Sequence, residues 1–169
     1  MSLHIITGNL VTMDTDAIVN AANSALIEGG GVCGAIFSNT DRNLLTKACR
    51  EISPCPTGKA VITKSYGLKA NYIIHAVGPI WEGGDQGEKD LLKSAYLESL
   101  KLAKENNLSS IAFPLLSGGI YGYPKEKAMN VGISTIKNFL KENDMEVYLV
   151  FLDPELTALA KDIETQERS

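Results

Sequence analysis

Six short apolar runs separated by helical patterns constrain the fold of this 169-residue chain more than any other feature. Runs that are this apolar suit strands covered by helices on both faces. Between them, apolar residues recur in steps of three and four over residues 92–103 and 128–140, which predicts two amphipathic helices. The pattern therefore predicts an α/β fold with a layered sheet, whose strands lie at residues 3–7, 17–20, 60–63, 72–77, 110–115 and 147–152.

The last helix carries its own start signal. Asp153 can accept hydrogen bonds from the free backbone N–H groups of a first helical turn, and Pro154 suits the first helical position. Apolar residues at 156, 159, 160 and 163 then follow at helical spacing. These features predict a helix that begins at Pro154 and has one buried face.

Two loops rich in glycine and amide side chains follow two of the predicted strands. The first contains Asn20, Asn23 and residues 29–31, and the second covers residues 117–122. Glycine lets a backbone approach a ligand closely, and the N–H groups of such loops hold anions. Because ligands of open α/β sheets bind beyond the carboxyl ends of the strands, the two loops predict the two sides of one phosphate-binding cleft.

Composition indicates how such a cleft would hold an anion. Sixteen basic against twenty acidic residues give a net charge of −4, and the basic residues are scattered along the sequence. We therefore expect no nucleic-acid partner, and phosphates held by backbone N–H groups rather than by a cationic patch. No apolar run is long enough to span a bilayer and no signal peptide is recognisable, so no membrane association is expected. Three irregularly spaced cysteines predict a cytoplasmic location, and the lack of zinc-ligand spacing predicts no metal site.

Five motifs occur in order along nearly the whole chain. They are Gly-Asn-Leu at 8–10, Asp-Ala-Ile-Val-Asn-Ala-Ala-Asn at 16–23, Gly-Gly-Gly-Val at 29–32, His-Ala-Val-Gly-Pro at 75–79 and Pro-Leu-Leu-Ser-Gly-Gly-Ile-Tyr-Gly-Tyr-Pro at 114–124. Together they resemble the macrodomain family, closest to its MacroD-like, O-acetyl-ADP-ribose deacetylase branch. The resemblance implies that the chain, residues 1–169, is a single macrodomain. It also implies three α/β/α layers around a mixed, mostly parallel sheet of about six strands, with ADP-ribose bound between the two loops.

The resemblance further implies which residues contact the ligand. Asn23 corresponds to the residue that bonds the distal ribose, and an amide suits sugar hydroxyls because it both donates and accepts. Gly30, Gly31 and Val32 would direct backbone N–H groups at the diphosphate. Asn23 and Gly31 are the predicted catalytic residues. The predicted ligand-binding residues are Asn9, Leu10, Asn20, Asn23, Gly30, Gly31, Val32, Cys33, Ser117, Gly118, Gly119, Ile120, Tyr121 and Leu152.

Some of these assignments have a structural alternative. The amides of Asn20 and Asn23 could serve only to tie the first loop to its own backbone. Tyr121 covers the distal ribose or shapes the cleft mouth in one interpretation, and only packs against the protein in the other. His75, at the end of a strand, is interpreted as a structural histidine.

Several positions differ from what hydrolytic macrodomains commonly carry. Asn9 replaces an Asp that faces the adenine, and Leu152 stands where an aromatic ring often stacks on it, although Phe151 is one residue away. Cys33 replaces an Asp that helps to position or activate the attacking water, and Phe37 replaces a histidine one turn on. A thiol with an ordinary pKa, about 8.5, is a poor water activator at neutral pH. Some relatives without this Asp still hydrolyse, using the bound phosphate to hold the water.

The sequence favours an enzyme over a binding module. The expected function is to bind ADP-ribose and to hydrolyse ADP-ribosyl esters, either mono-ADP-ribosylated acidic residues or O-acetyl-ADP-ribose, because the second loop resembles that of hydrolytic members. The alternative is a non-catalytic ADP-ribose reader module, which Cys33 favours. The implied partners are ADP-ribose and an ADP-ribosylated protein or O-acetyl-ADP-ribose. No cofactor is expected, and the chain is expected to be a monomer.

Overall fold

Six strands and five α-helices lie within residues 2–168, the part of the chain that the computed structural model describes. Each predicted strand and both predicted amphipathic helices are confirmed, and the strand ends differ from the prediction by at most two residues. The strands are β1 (Ser2–Thr7), β2 (Ala17–Ala21), β3 (Ala60–Lys64), β4 (Tyr72–Ala76), β5 (Ser110–Phe113) and β6 (Glu146–Phe151). The helices are α1 (Gly31–Ser38), α2 (Arg42–Ile52), α3 (Glu88–Glu105), α4 (Lys125–Leu140) and α5 (Pro154–Arg168).

The strands form one sheet in the order β1-β6-β5-β2-β4-β3. Neighbouring strands are parallel except for β3, which runs antiparallel to β4, so the predicted mixed and mostly parallel sheet is confirmed. The carboxyl ends of the parallel strands therefore share one edge. Because β2 pairs directly with β5, the two glycine-rich loops that follow these strands are neighbours in space.

Two apolar cores pack on opposite faces of the sheet, because successive residues of a strand point to opposite sides. In β2, Val19 belongs to the core covered by α3, α4 and α5, whereas Ile18 belongs to the core covered by α1 and α2. The strands are thus buried on both faces, which explains their continuous apolar sequences. The three-layer α/β/α arrangement is confirmed.

The start of α5 follows the predicted signal. The Asp153 carboxylate accepts a hydrogen bond from the backbone N–H of Glu155 at 2.9 Å, and Pro154 is the first helical residue. Ala160 and Ile163 are buried in the core beneath the helix. Among the helices of residues 2–168, none is both long enough and apolar enough to pass through a membrane.

Candidate ligand-binding cleft

In the structure the first loop joins β2 to α1 over residues 22–30, and the second loop joins β5 to α4 over residues 114–124. A cleft of about 270 Å³ opens between them. A Cβ at Gly30 would lie 3.1 Å from Ile120 Cδ1, so the two loops touch across the opening. The cleft brings together nine of the predicted residues, namely Asn23, Gly30, Gly31, Val32, Cys33, Ser117, Gly119, Ile120 and Tyr121. Gly29, part of the predicted first loop, also lines it, together with residues for which the sequence predicted no contact, namely Ala21, Ala22, Gly78, Leu115 and Leu116.

The first loop ends in the amino terminus of α1. Gly31 begins the helix with a φ of +58°, a conformation that glycine adopts without strain. A Cβ at Gly34 would lie 2.6 Å from the carbonyl oxygen of Gly29, so this position has no room for a side chain. The first N–H groups of a helix have no partner within it and carry its positive dipole end. The glycines therefore leave these N–H groups open to an anion.

The second loop is held by hydrogen bonds to its surroundings. Ser117 has a φ of +63°, and its hydroxyl donates to the carbonyl oxygen of Pro79 at 2.7 Å. The Lys125 ammonium donates to the carbonyl oxygen of Gly118 at 3.0 Å. Gly118, a predicted ligand-binding residue, is itself buried and does not line the cleft. The loop thus presents Ser117 and Gly119–Tyr121 from a fixed backbone.

The amide of Asn23 bridges the first loop. Its Nδ2 donates to the carbonyl oxygen of Ile27 at 2.9 Å, and its Oδ1 accepts from the backbone N–H of Ile27 at 3.1 Å. The alternative interpretation, in which the Asn23 amide ties the first loop to its own backbone, therefore describes part of its role. Each end of the amide can form one further hydrogen bond, because the nitrogen has a second N–H and the oxygen a second lone pair. Asn23 consequently faces the cleft as a fixed donor and acceptor.

Asn20, a predicted ligand-binding residue, is buried and does not line the cleft. It lies opposite His75 in the β2–β4 register, and its Nδ2 is 3.0 Å from His75 Nδ1. His75 Nε2 is 2.9 Å from Thr63 Oγ1, which in turn donates to the carbonyl oxygen of Lys64. These hydrogen bonds are consistent with one another when Nδ1 accepts and Nε2–H donates, and the buried Oδ1 of Asn20 has no hydrogen-bond partner within residues 2–168. Asn20 is therefore a buried support for the cleft floor, and His75 is the structural histidine that was predicted.

Burial keeps His75 uncharged. It lowers the pKa of the imidazole from its ordinary value of 6.5 to about 4. Both ring nitrogens are already used in the neutral form, so a second proton would break the bond from Asn20.

This histidine predicts a loss of stability in mild acid. Between pH 6.5 and about 4 the unfolded chain protonates His75 and the folded protein does not, so the free energy of unfolding falls as the pH falls. At pH 5 we expect a loss on the order of 2 kcal/mol relative to pH 7.5 from this group. Urea denaturation of the wild type and of His75→Gln at both pH values measures it. Equal pH dependence in the two proteins would contradict the assignment.

Cys33 lies in the first turn of α1 and lines the cleft with only 5% of its surface exposed. Its Sγ lies 3.6 Å from the carbonyl oxygen of Ile27 and 3.8 Å from Asn20 Nδ2. Burial raises the pKa of the thiol. The helix terminus therefore does not activate this cysteine, and the protonated thiol, a poor nucleophile and base, is its main form at neutral pH. Phe37, one turn further on, is buried in the core.

We therefore expect Cys33→Ser to change ester turnover by no more than about threefold, because the thiol takes no part in the chemistry. Steady-state kinetics of the variant, together with alkylation of the native protein by iodoacetamide at pH 7, test this. Complete loss of turnover, or rapid alkylation of Cys33 in the folded protein, would establish a thiol mechanism instead.

The residues predicted to face the adenine lie beyond the cleft, at the ends of β1 and β6. The Gly8 N–H donates to the carbonyl oxygen of Phe151 at 2.8 Å and so joins these two strand ends. Asn9 is exposed, and its Oδ1 accepts from the backbone N–H of Val11. Leu152 is 77% exposed, whereas Phe151 is buried, so no aromatic ring is offered at this position. Leu10 is buried in the core, and its predicted direct ligand contact is not supported.

The fold agrees with the comparison to known proteins. The Macro domain family model matches residues 19–132, and the chain belongs to the macrodomain family. It is 49% identical over 150 residues to a Macro domain-containing protein of Methanosarcina mazei, covering 88% of this chain and 80% of the relative. It is 45% identical to the O-acetyl-ADP-ribose deacetylase of Citrobacter rodentium, covering 98% of this chain and 96% of the relative. A solved structure of an Oceanobacillus iheyensis macrodomain variant with ADPR superposes with a TM-score of 0.90 at 36% identity, covering 98% of this chain and 91% of that one.

Proposed function

We propose that this protein binds ADP-ribose in the cleft between the two loops and hydrolyses ADP-ribosyl esters. One observation carries the proposal: the neighbouring ends of β2 and β5 place the open N–H groups of α1, the amide of Asn23 and the second loop around one cleft. The similarity to a macrodomain with ADPR supports the ligand. The similarity over nearly the full length of an O-acetyl-ADP-ribose deacetylase supports the reaction.

The charge of the cleft agrees with a backbone-bound diphosphate. Among the described residues that line it, Cys33 and Tyr121 are the ionisable ones. Burial raises the pKa of both side chains, so both are neutral at pH 7. The first turn of α1 then supplies the positive potential for the diphosphate.

The same charge distribution limits the mechanism. Because the cleft offers no charged base, the protein contributes position and stabilisation of negative charge. In our proposal Asn23 orients the distal ribose, the N–H groups at Gly30–Val32 hold the diphosphate, and the bound phosphate holds the attacking water. Ester cleavage then yields ADP-ribose and a carboxylate. Such chemistry needs no cofactor, and the absence of a cofactor and of a metal stays a prediction.

Consumption of O-acetyl-ADP-ribose, followed by chromatography, tests this function. We expect conversion to ADP-ribose and acetate, with competitive inhibition by added ADP-ribose. Calorimetry of ADP-ribose binding on the same preparation is the control. Binding without any hydrolysis would instead support the reader module, the alternative that the neutral Cys33 favours. The individual ligand contacts, the cytoplasmic location and the monomeric state stay predictions.

A further inference from the structure

A second groove, of about 570 Å³, lies between α3 and α4 and is strongly basic. We call it the lysine groove. Lys89 and Lys93 line it from α3, and Lys137 and Lys141 line it from α4 and its carboxyl-terminal end. The other side chains that line it are Leu97, Val131, Ser134, Thr135 and Asn138.

Helix pairing creates this patch from lysines that are scattered in the sequence. Within each helix the two lysines are four residues apart and so share one face. Among the ion pairs of residues 2–168 that the structure gives, none involves these four lysines. Like charges at this spacing repel each other. These lysines form a cationic patch although the net charge is −4 and the basic residues are scattered along the sequence, and the expectation of no nucleic-acid partner stays a prediction.

The lysine groove continues towards the cleft. Lys89 and Val131 also line an adjoining hollow of about 440 Å³, where Lys127 and the acidic Asp85 lie beside Trp81. The backbone N–H of Trp81 donates to the carbonyl oxygen of Tyr121 at 2.8 Å, and Tyr121 lines the cleft. The lysine groove is thus joined through this hollow to the loop that carries Tyr121, the residue that covers the distal ribose in one interpretation.

We propose that the lysine groove binds an acidic segment of the protein that carries the ADP-ribosyl ester, a proposal that rests on the proposed function of the cleft. The lysines complement a chain of carboxylates, and the amide of Asn138 can bond a peptide backbone. The Ser134 hydroxyl donates to the carbonyl oxygen of Asn130, and its oxygen can still accept from a peptide N–H. Lys89 and Leu97 are eight residues apart on α3, which corresponds to about 12 Å, or about four residues of extended peptide. The site therefore selects substrates by the charge of the chain that extends from the modified residue.

The geometry favours a peptide over a nucleic acid. Single-stranded nucleic acids bind by stacking successive bases on exposed aromatic rings. Trp81 packs against Tyr123 with ring centroids 4.6 Å apart, and Lys127 Nζ lies 5.5 Å from the Trp81 ring. The side chains that line the lysine groove itself are aliphatic, polar or basic. They supply charge without a stacking surface.

A charge-reversal variant tests the lysine groove on the whole chain. Its three substitutions are Lys93→Glu, Lys137→Glu and Lys141→Glu, and the matched control carries Lys47→Glu, Lys64→Glu and Lys69→Glu. The control lysines are exposed, and both variants have the same net charge. The substrates are two peptides with one ADP-ribosylated glutamate, flanked by glutamates in one and by glutamines in the other, and O-acetyl-ADP-ribose.

We expect the groove variant to lose about tenfold or more in kcat/KM on the glutamate-flanked peptide relative to the control, since several exposed charge contacts are reversed together. High salt should remove the difference. Turnover of the glutamine-flanked peptide and of O-acetyl-ADP-ribose should match that of the control. Equal loss in both variants, or no loss in either, would overturn the proposal.

Direct binding separates this proposal from the function of the cleft. Fluorescence anisotropy with an unmodified glutamate-rich peptide and with a single-stranded RNA of equal length uses no hydrolysis. If the groove variant loses peptide binding and the control retains it, the result supports the lysine groove, whether or not any ester is cleaved. If no ester is cleaved, the hydrolase function alone is refuted. Tighter binding of the RNA at the same lysines would overturn the choice of a peptide.

Discussion

Gly119→Glu should reduce the affinity for ADP-ribose more than 100-fold without loss of the fold. Gly119 lines the cleft, and a Cβ there has no heavy atom within 4 Å, so the protein itself accommodates the new side chain. The carboxylate would then meet the diphosphate in a cleft whose ionisable side chains are neutral, at a cost of about 3 kcal/mol. Calorimetric titration with ADP-ribose measures the effect.

Two matched variants at the same position separate charge from size. Gly119→Ala should bind ADP-ribose almost as well as the wild type, because space is available for its methyl group. Gly119→Gln has the shape of glutamate without its charge and should lose less affinity than Gly119→Glu. Unchanged affinity in Gly119→Glu would rule out a diphosphate between the two loops.

Asn23→Ala should lower kcat for ester hydrolysis about 100-fold or more, because a misplaced ribose loses the alignment that the reaction needs. The substitution removes both the predicted bond to the ribose and the two bonds that tie the first loop to Ile27. ADP-ribose affinity should fall much less, since backbone N–H groups hold the diphosphate. Steady-state kinetics and calorimetry on the same variant separate the two effects.

Ser24→Ala is the matched control for Asn23→Ala. Ser24 is the exposed neighbour in the same loop, and the bond that the structure gives it is made by its backbone carbonyl oxygen, which the substitution retains. Its turnover should equal that of the wild type. If Asn23→Ala retained full kcat, Asn23 would be only a structural element of the first loop.

Local sequence patterns predicted those structural features that depend on residues close together in the chain. The apolar runs located the strands, and Asp153 with Pro154 located the start of α5, because helix starts depend on residues a few positions apart. The glycines of both loops likewise indicated where backbone had to remain uncovered. The α/β class and the position of the cleft therefore follow from local chemistry and from the parallel order of the strands.

The features that local patterns did not predict depend on contacts between residues far apart in the sequence. Asn20 is buried because β4 places His75 directly opposite it, 55 residues away in sequence. The lysine groove exists because α3 packs beside α4, which no spacing within either helix reveals. Gly78 lines the cleft because the loop after β4 passes against Ser117, where a Cβ would overlap the serine hydroxyl. Burial and strand pairing of this kind are known only from the folded structure.

Release of free ADP-ribose from a protein that carries a glutamate-linked mono-ADP-ribosyl group, followed over time by mass spectrometry, tests the central claim most directly. We expect steady release by the wild type, strongly reduced release by Asn23→Ala, and near-normal release by Cys33→Ser. No release by the wild type, from either this substrate or O-acetyl-ADP-ribose, while ADP-ribose still binds, would contradict the hydrolase and identify a reader module.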